Sequence, residues 1–314
     1  MTFFNMKKQS LLLIIIASLL WGTSGIFVNY LSPYGITALQ MTAIRGTVSV
    51  LAIGIYMLIT TKRMAKQVFS VKARELPMII AAGFCMFMTA SCYYISMQLT
   101  SVATSVILMY TAPLFVTCYS VIFMKERLTI QKIIGIVSIF IGCAFVSGVV
   151  GGIKMNFWGV AIGLLSGISY SAYNIVTKIE MKRNVKPVSA TFYCYVTMTV
   201  LALLVSQPSN IITVAMNNSI NATFLMIGLG IFTFAMPYFL YTIALKDVSA
   251  SLASSLGVIE PLSATVYSAV LFNEKLGVYQ VLGILLVVGA ILLLTRDEKN
   301  TNVISQEVEY EKNI

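Results

Sequence analysis

Long apolar stretches separated by short charged clusters restrict the fold of this sequence more than any other feature. A helix crosses a bilayer core of ~30 Å with about 20 apolar residues, because each residue adds 1.5 Å, and stretches of about that length recur along the chain. Only 10% of the 314 residues are charged, whereas a soluble domain carries roughly 25%. The pattern therefore predicts an all-α, polytopic membrane protein.

Charge clusters and turn residues divide the chain into ten predicted membrane helices with short loops between them. A polar, charged stretch follows the tenth helix at residues 297–314, and we expect it to form a disordered cytoplasmic tail. The approximate cores of the ten helices are residues 9–30, 35–60, 76–97, 101–124, 129–149, 157–178, 187–206, 222–245, 249–272 and 277–295.

The basic residues are distributed unevenly on the two sides of these helices. Of the 21 Lys and Arg residues, only Lys154 and Lys275 fall on the side opposite the chain ends, and Arg45 lies within the second helix. Cytoplasmic loops are the ones rich in Lys and Arg, so both termini are predicted to be cytoplasmic, in a protein of the cell membrane. This bias also accounts for the net charge of +10 without a nucleic-acid partner.

A gap-free internal repeat relates the two halves of the chain. Shifted by 148 residues, SVATSVILMYTAPLFVTCYSVIFMKERLTIQKIIGI at 101–136 aligns with SASLASSLGVIEPLSATVYSAVLFNEKLGVYQVLGI at 249–284. The proline, a Tyr-Ser pair and a helix-end Glu keep their places in both copies. The chain thus divides into five-helix repeats at 1–150 and 151–296. Because five is an odd number, the second repeat has to enter the membrane from the opposite side.

Inverted repeats of this kind are typical of secondary transporters. Two similar halves can exchange conformations and so open a shared site to each side of the membrane in turn. The repeat therefore favours a transporter over other classes of membrane protein.

Several sequence segments also resemble those of a known transporter family. LLWGTSGIFV in the first helix, the Arg of ALQMTAIRG in the second and APLFVTCYSVIFMKERLT resemble the EamA family of the drug/metabolite transporter superfamily. So does YFLYTIALKDVSASLASSLGVIEPLSATVYSAVLFNEKLGVYQVLG in the second half. The resemblance implies two inverted five-helix repeats around a central cavity. It also implies transport of small metabolites, often export of amino acids or related compounds.

Two ionisable side chains are predicted to lie near the middle of the membrane. Arg45 lies ten residues into the second helix, and Glu260 lies about halfway along the ninth. A charge there costs roughly 2.5–3.5 kcal/mol on insertion scales, so such residues are functional candidates. We expect Arg45 to attract a substrate carboxylate, and Glu260 to bind an amine or carry a coupling proton. A structural Arg45–Glu260 pair, or an arginine that caps backbone carbonyls, is the alternative that the sequence leaves open.

Prolines are predicted to break the helices beside this candidate site. Pro261 has no amide donor and clashes with the carbonyl of Gly257, four residues earlier. Pro113 is its counterpart in the fourth helix, so the two breaks should face each other across the pseudo-symmetry axis. Ala112 takes the place of Glu260 in the first copy. We therefore expect gating elements at Pro113, Pro261 and Gly257, and one chemical site in a nearly symmetric frame.

Several aromatic and polar residues near mid-helix are further candidates to bind the substrate or a coupling ion. Aromatic residues at helical spacing usually pack, and that alternative stays open for each of them. The set comprises Trp21, Tyr93, Tyr94, Tyr170, Tyr173, Asn174, Tyr241 and Tyr267.

The remaining inventory argues against an enzyme, a cofactor or a metal site. The chain has no histidine, its five cysteines form no CxxC pair, and it has no GxxxxGK[ST] nucleotide-binding motif. The sequence thus predicts a secondary-active exporter of a small metabolite such as an amino acid, with the proton as a candidate coupling ion. The alternatives are efflux of drugs or hydrophobic cations and a non-transporting membrane scaffold or sensor.

Overall fold

The computed structural model describes residues 2–60, 71–123, 129–146, 156–183, 187–217, 219–244, 256–257 and 259–293. Within these ranges the regular structure is helical and contains no β-strand. The tail predicted at residues 297–314 lies outside them.

The described residues of the first repeat form seven α-helices, because proline and glycine positions divide two of the predicted segments. A short 3₁₀ turn, Ala73–Glu75, precedes α4. The helices are α1 (Thr2–Gly22), α2 (Ser24–Leu31), α3 (Ala38–Thr60), α4 (Leu76–Leu99), α5 (Val102–Met109), α6 (Ala112–Phe123) and α7 (Ile130–Val146).

The described part of the second repeat follows the same plan. Its eighth predicted segment holds α11 and α12, which a π-helical turn at Ile231–Ala235 joins. The helices are α8 (Phe157–Lys182), α9 (Pro187–Val205), α10 (Pro208–Asn217), α11 (Ser219–Gly230), α12 (Met236–Ala244), α13 (Ile259–Phe272) and α14 (Val278–Leu293).

These helices account for the ten predicted segments. In the described ranges, five helical stretches are long and apolar enough to cross a membrane, and the bent pair α9–α10 makes a sixth if it is counted as one span. Four shorter apolar helices correspond to the fourth, fifth, ninth and tenth segments. The prediction of an all-α membrane protein with two five-helix repeats is therefore confirmed.

One helix was not predicted, because the sequence indicated a loop between the seventh and eighth segments. α10 occupies that stretch and turns by 85° from α9. Gln207 makes the turn with a left-handed φ of 52°, and Pro208 then begins α10, where a missing amide hydrogen costs little. With Val214 buried and Ile212 exposed, α10 is a short amphipathic helix.

The contacts between helices repeat when the two halves are exchanged. α4 packs on α8, and the equivalent pair, α12 and α1, also packs together. α5 contacts α8, just as α13 contacts α1. Two further contacts, α3 with α9 and α5 with α13, join equivalent helices to each other. This pattern places the interface between the repeats at the pseudo-symmetry axis.

Two glycines determine how closely helices from opposite repeats approach each other. A Cβ atom at Gly22 of α1 would collide with the side chain of Ser263 in α13. A Cβ atom at Gly167 of α8 would lie 2.8 Å from the carbonyl oxygen of Leu108 in α5. Side chains larger than hydrogen would therefore push these helices apart, next to both helix breaks.

Candidate substrate site

Breaks in the fourth and ninth predicted segments meet at the interface between the repeats. Tyr110 and Thr111 separate α5 from α6, and α13 begins one residue before Glu260. The Tyr110 hydroxyl donates a hydrogen bond to Glu260 Oε2 at 2.8 Å and lies 3.2 Å from the carbonyl oxygen of Gly257. The two breaks therefore face each other, as the sequence predicts.

The Gly257 carbonyl oxygen can accept a hydrogen bond from the other repeat because of Pro261. Proline has no amide hydrogen, so the carbonyl four residues earlier loses its usual helical partner. The amide of Glu260 bonds this oxygen at 3.0 Å, and Tyr110 approaches it from the other repeat. One tyrosine thus contacts both the freed carbonyl and the acid.

Arg45 is held by one residue of its own repeat and by two of the opposite repeat. Its Nη1 donates to the Tyr94 hydroxyl at 3.1 Å, and its Nη2 donates to the carbonyl oxygen of Thr233 at 3.0 Å. The guanidinium also lies 4.2 Å from the centre of the Phe234 ring, which favours a cation. Arg45 therefore caps a backbone carbonyl, and its buried Nε–H has no acceptor among the described residues.

The Thr233 carbonyl oxygen can accept a hydrogen bond from Arg45 because of a second proline. Thr233 lies in the π-helical turn, and Pro237 follows it by four residues without an amide hydrogen to donate. π-Helical turns occur frequently at functional sites. The helix of the eighth predicted segment is therefore wider at the turn whose carbonyl oxygen accepts the hydrogen bond from Arg45.

Arg45 and Glu260 do not form the direct ion pair that the sequence allowed. In the described part of the chain each has neutral partners instead, Tyr94 and a backbone carbonyl for Arg45 and Tyr110 for Glu260. The two charges are close enough to interact electrostatically. Tyr93 and Tyr170 lie near both of them. The site thus holds one basic and one acidic side chain among tyrosines.

Most of the predicted aromatic residues pack around these two charges or beside their partners. Trp21 contacts Tyr241 and also Tyr238, which touches the Phe234 ring under Arg45. The ring-centre distances are 5.7 Å for Tyr93–Tyr94, 6.2 Å for Tyr170–Tyr173, and 5.6 Å for both Trp21–Tyr238 and Trp21–Tyr241.

Three predicted residues are not joined to this cluster by any described contact. Asn174 is exposed, because it lies one residue, about 100° around the helix, from the buried Tyr173. Tyr267 is half-buried on α13, without a described ring contact. Pro113 is the second residue of α6, where proline is compatible with the start of a helix. The described contacts thus do not bring Asn174 or Tyr267 together with the two charges.

Sequence reasoning missed Tyr110 and the pair Thr233–Pro237. A comparison of the repeats contains a signal for the first of these residues. Tyr110 aligns with Val258, and Glu260 aligns with Ala112, so each polar member of the hydrogen bond belongs to one copy only. A search for mismatched positions beside the shared proline would have found both.

The described ranges hold no cluster of the side chains that usually bind transition metals. They contain no group of three His, Cys, Asp or Glu residues that could hold a metal ion. The chemistry available at the site is therefore binding by charge, hydrogen bonding and aromatic contact.

Known proteins show the same organisation in two halves. The model of the EamA-like transporter family matches residues 8–148 and, a second time, residues 157–296. An uncharacterized transporter of Archaeoglobus fulgidus is 27% identical over 211 residues, 67% of this chain and 73% of the relative. The uncharacterized transporter YwfM of Bacillus subtilis (strain 168) is 27% identical over 289 residues, 90% of this chain and 93% of YwfM.

A solved crystal structure has the same fold. It superposes with a TM-score of 0.60 at 16% sequence identity and covers 94% of this chain and 99% of its own. The family match covers nearly the whole chain in two copies, and the structure has the two corresponding five-helix repeats. The chain belongs to the EamA-like transporter family.

Proposed function

We propose that this protein exports a small zwitterionic metabolite, such as an amino acid, by secondary active transport. One observation carries the proposal: Arg45 and Glu260 come from opposite repeats into one site, yet each has neutral partners in place of the other. An amino acid carries the two complementary charges on adjacent groups. Its carboxylate would meet Arg45, whose Nε is unused, and its ammonium group would meet Glu260.

The helix breaks give this site a means of changing shape. The site joins α3 and α5 of the first repeat to α12 and α13 of the second, so movement of one repeat against the other alters the distance between its charges. Proline-freed carbonyls can exchange partners without disrupting a complete helix. Alternating access would then expose the substrate to each side of the membrane, and Glu260 could exchange the amine for a coupling proton.

Efflux of hydrophobic cations is the second candidate function. The aromatic group of Trp21, Tyr238 and Tyr241 favours it, because aromatic faces attract cations. Arg45 argues against it, since a positive side chain repels a cationic substrate. A zwitterionic substrate would pair with both Arg45 and Glu260, whereas a cationic substrate would pair only with Glu260.

Efflux from proteoliposomes tests the proposal directly. The reconstituted protein would be loaded with zwitterionic amino acids, with amines or carboxylic acids that lack the second charged group, or with a lipophilic quaternary cation. We expect efflux of zwitterions, abolished in Glu260→Gln and in Arg45→Gln. The controls Glu75→Gln and Arg74→Gln make the same changes of charge at the turn before α4 and should transport normally. Efflux of the quaternary cation alone would support the second candidate, and no efflux would indicate a scaffold or sensor.

A further inference from the structure

A second buried carboxylate, Glu180, lies near the end of α8. It is only 2% exposed and borders a cavity of about 90 Å³ between α4, α8 and α9. Ala82 and Ala190 leave this space because their side chains are small. The cavity touches both repeats, since α4 belongs to the first and α8 and α9 belong to the second.

Two oxygen atoms at this cavity lack partners. Glu180 Oε1 and Thr177 Oγ1 are buried and accept or donate no hydrogen bond within the described ranges. They lie three residues apart on one face of α8. A charged carboxylate with a buried, unpartnered oxygen, here Oε1 of Glu180, is unfavourable. An occupant of the cavity that supplies positive charge would remove this penalty.

The donor set indicates which cation fits. Glu180, Thr177 and Thr191 line the cavity and carry side-chain oxygen atoms, and hard cations prefer oxygen ligands. A single carboxylate balances a single positive charge. Water occupies about 30 Å³ per molecule in the liquid, so the cavity has room for an ion with one or two waters.

We propose that this cavity binds an alkali-metal cation, held by the Glu180 carboxylate and the hydroxyls of Thr177 and Thr191. The ion joins α8 to α9 within the second repeat, beside Ala82 in α4 of the first, and stabilises the packing of these helices in this conformation. The proposal is independent of the substrate at Arg45 and Glu260, because it concerns a different carboxylate and can be tested without transport.

Thermal unfolding of the full-length protein in detergent tests this assignment. It would be followed in NaCl, KCl or LiCl against choline chloride at the same ionic strength. We expect at least one alkali cation to raise the Tm by about 3 °C or more, saturating with concentration, because a ligand of the folded state stabilises it. The rise should disappear in Glu180→Gln, shrink in Thr177→Val and persist in Glu75→Gln.

Two further measurements separate binding from a loss of folding. In choline chloride, Glu180→Gln should unfold at or above the wild-type Tm, because it removes an unpaired carboxylate. Equilibrium binding of radioactive sodium should give one site per chain in the wild type and none in Glu180→Gln. A cation-dependent rise that persists in Glu180→Gln would overturn the proposal. So would a wild-type Tm that responds to pH and to none of the alkali cations.

Discussion

Tyr110 of the first repeat donates a hydrogen bond to Glu260 of the second repeat, and the repeat symmetry provides no second copy of this bond. The position equivalent to Tyr110 is Val258, and the position equivalent to Glu260 is Ala112. The shared proline break is therefore a property of both repeats, whereas the polar contact across it forms only once. This single contact joins the acid to the interface between the repeats.

Removal of the Tyr110 hydroxyl should weaken transport while the fold is retained. Hydrogen bonds to charged groups contribute roughly 1.5–3 kcal/mol, so we expect Tyr110→Phe to lower the efflux rate about tenfold or more. Tyr119→Phe is the control, because Tyr119 stacks on Phe123 and has no described hydrogen bond. Wild-type efflux from Tyr110→Phe would show that the contact with Glu260 is not required.

A lysine at position 45 should not be able to do the work of Arg45 in substrate binding. The guanidinium reaches Tyr94 and the Thr233 carbonyl with two different nitrogens, and a single ammonium group cannot reproduce this fork. We expect Arg45→Lys to raise the KM for a zwitterionic substrate about tenfold, although the positive charge is kept. Arg74→Lys, at an exposed position, should leave the KM unchanged. An unchanged KM in Arg45→Lys would mean that charge alone is sufficient.

Pro237→Ala tests whether the freed Thr233 carbonyl positions Arg45. The substitution supplies an amide hydrogen that can bond the carbonyl four residues earlier, in competition with Arg45. We expect efflux to fall about tenfold while the Tm stays the same or rises, since the helix becomes more regular. Pro208→Ala at the start of α10 should not change efflux. A parallel loss of Tm and efflux in Pro237→Ala would instead indicate a purely structural role.

Gly167→Ala should destabilise the contact between α8 and α5. The added methyl group would lie 2.8 Å from the Leu108 carbonyl oxygen, and overpacking of this kind costs about 1–3 kcal/mol. Gly289→Ala is the matched control in α14, where a Cβ atom meets nothing within 4 Å. Thermal unfolding should show a lower Tm for the first variant only. Equal Tm values would mean that the helices can separate without cost.

Stability in the absence of alkali cations should depend on the protonation of Glu180. This residue lies beyond Thr177, where the apolar span ends, and burial raises the pKa of its carboxyl group. A raised pKa means that the folded protein binds this proton more tightly than the unfolded chain. The resulting stability is present below the unfolded pKa and is lost as the pH rises through the folded pKa.

The expected result is a Tm in choline chloride that falls as the pH rises through this range. Saturating alkali cation should reverse the fall, since the ion replaces the proton. The described groups that face Glu180 across the cavity, Tyr173 and Cys194, are neutral there, and Arg183 is exposed at the end of α8. Glu180→Gln should therefore remove this component of the pH dependence, and its persistence would assign it to another group.

The helices and their breaks were predictable because they depend on local sequence. Apolar length predicts a span, and Pro261 predicts the loss of one backbone hydrogen bond wherever its helix lies. α10 was not predicted, since its ten residues are too few to span a membrane and apolar length indicates only spans. Its bend depends on the left-handed backbone of Gln207, which composition does not indicate.

The partners of the charges were not predictable in this way. The depth of Arg45 in its helix follows from counting residues, but its bond to Thr233 depends on where α3 meets the π-helical turn. Helix rotation likewise decides that Tyr173 is buried while Asn174 is exposed. Such contacts result from tertiary packing, and a single sequence predicts only which residues need a partner.

Opposite charges in one site have a consequence for the response of this protein to membrane voltage. Moving one elementary charge across the membrane changes the free energy by about 2.3 kcal/mol per 100 mV. A zwitterion has no net charge, and Arg45 and Glu260 together add none to the site that carries it. If the substrate is the zwitterion proposed above, its passage should be insensitive to membrane potential, whereas export of a monovalent cation through the same site would be opposed by a potential that is negative inside the cell.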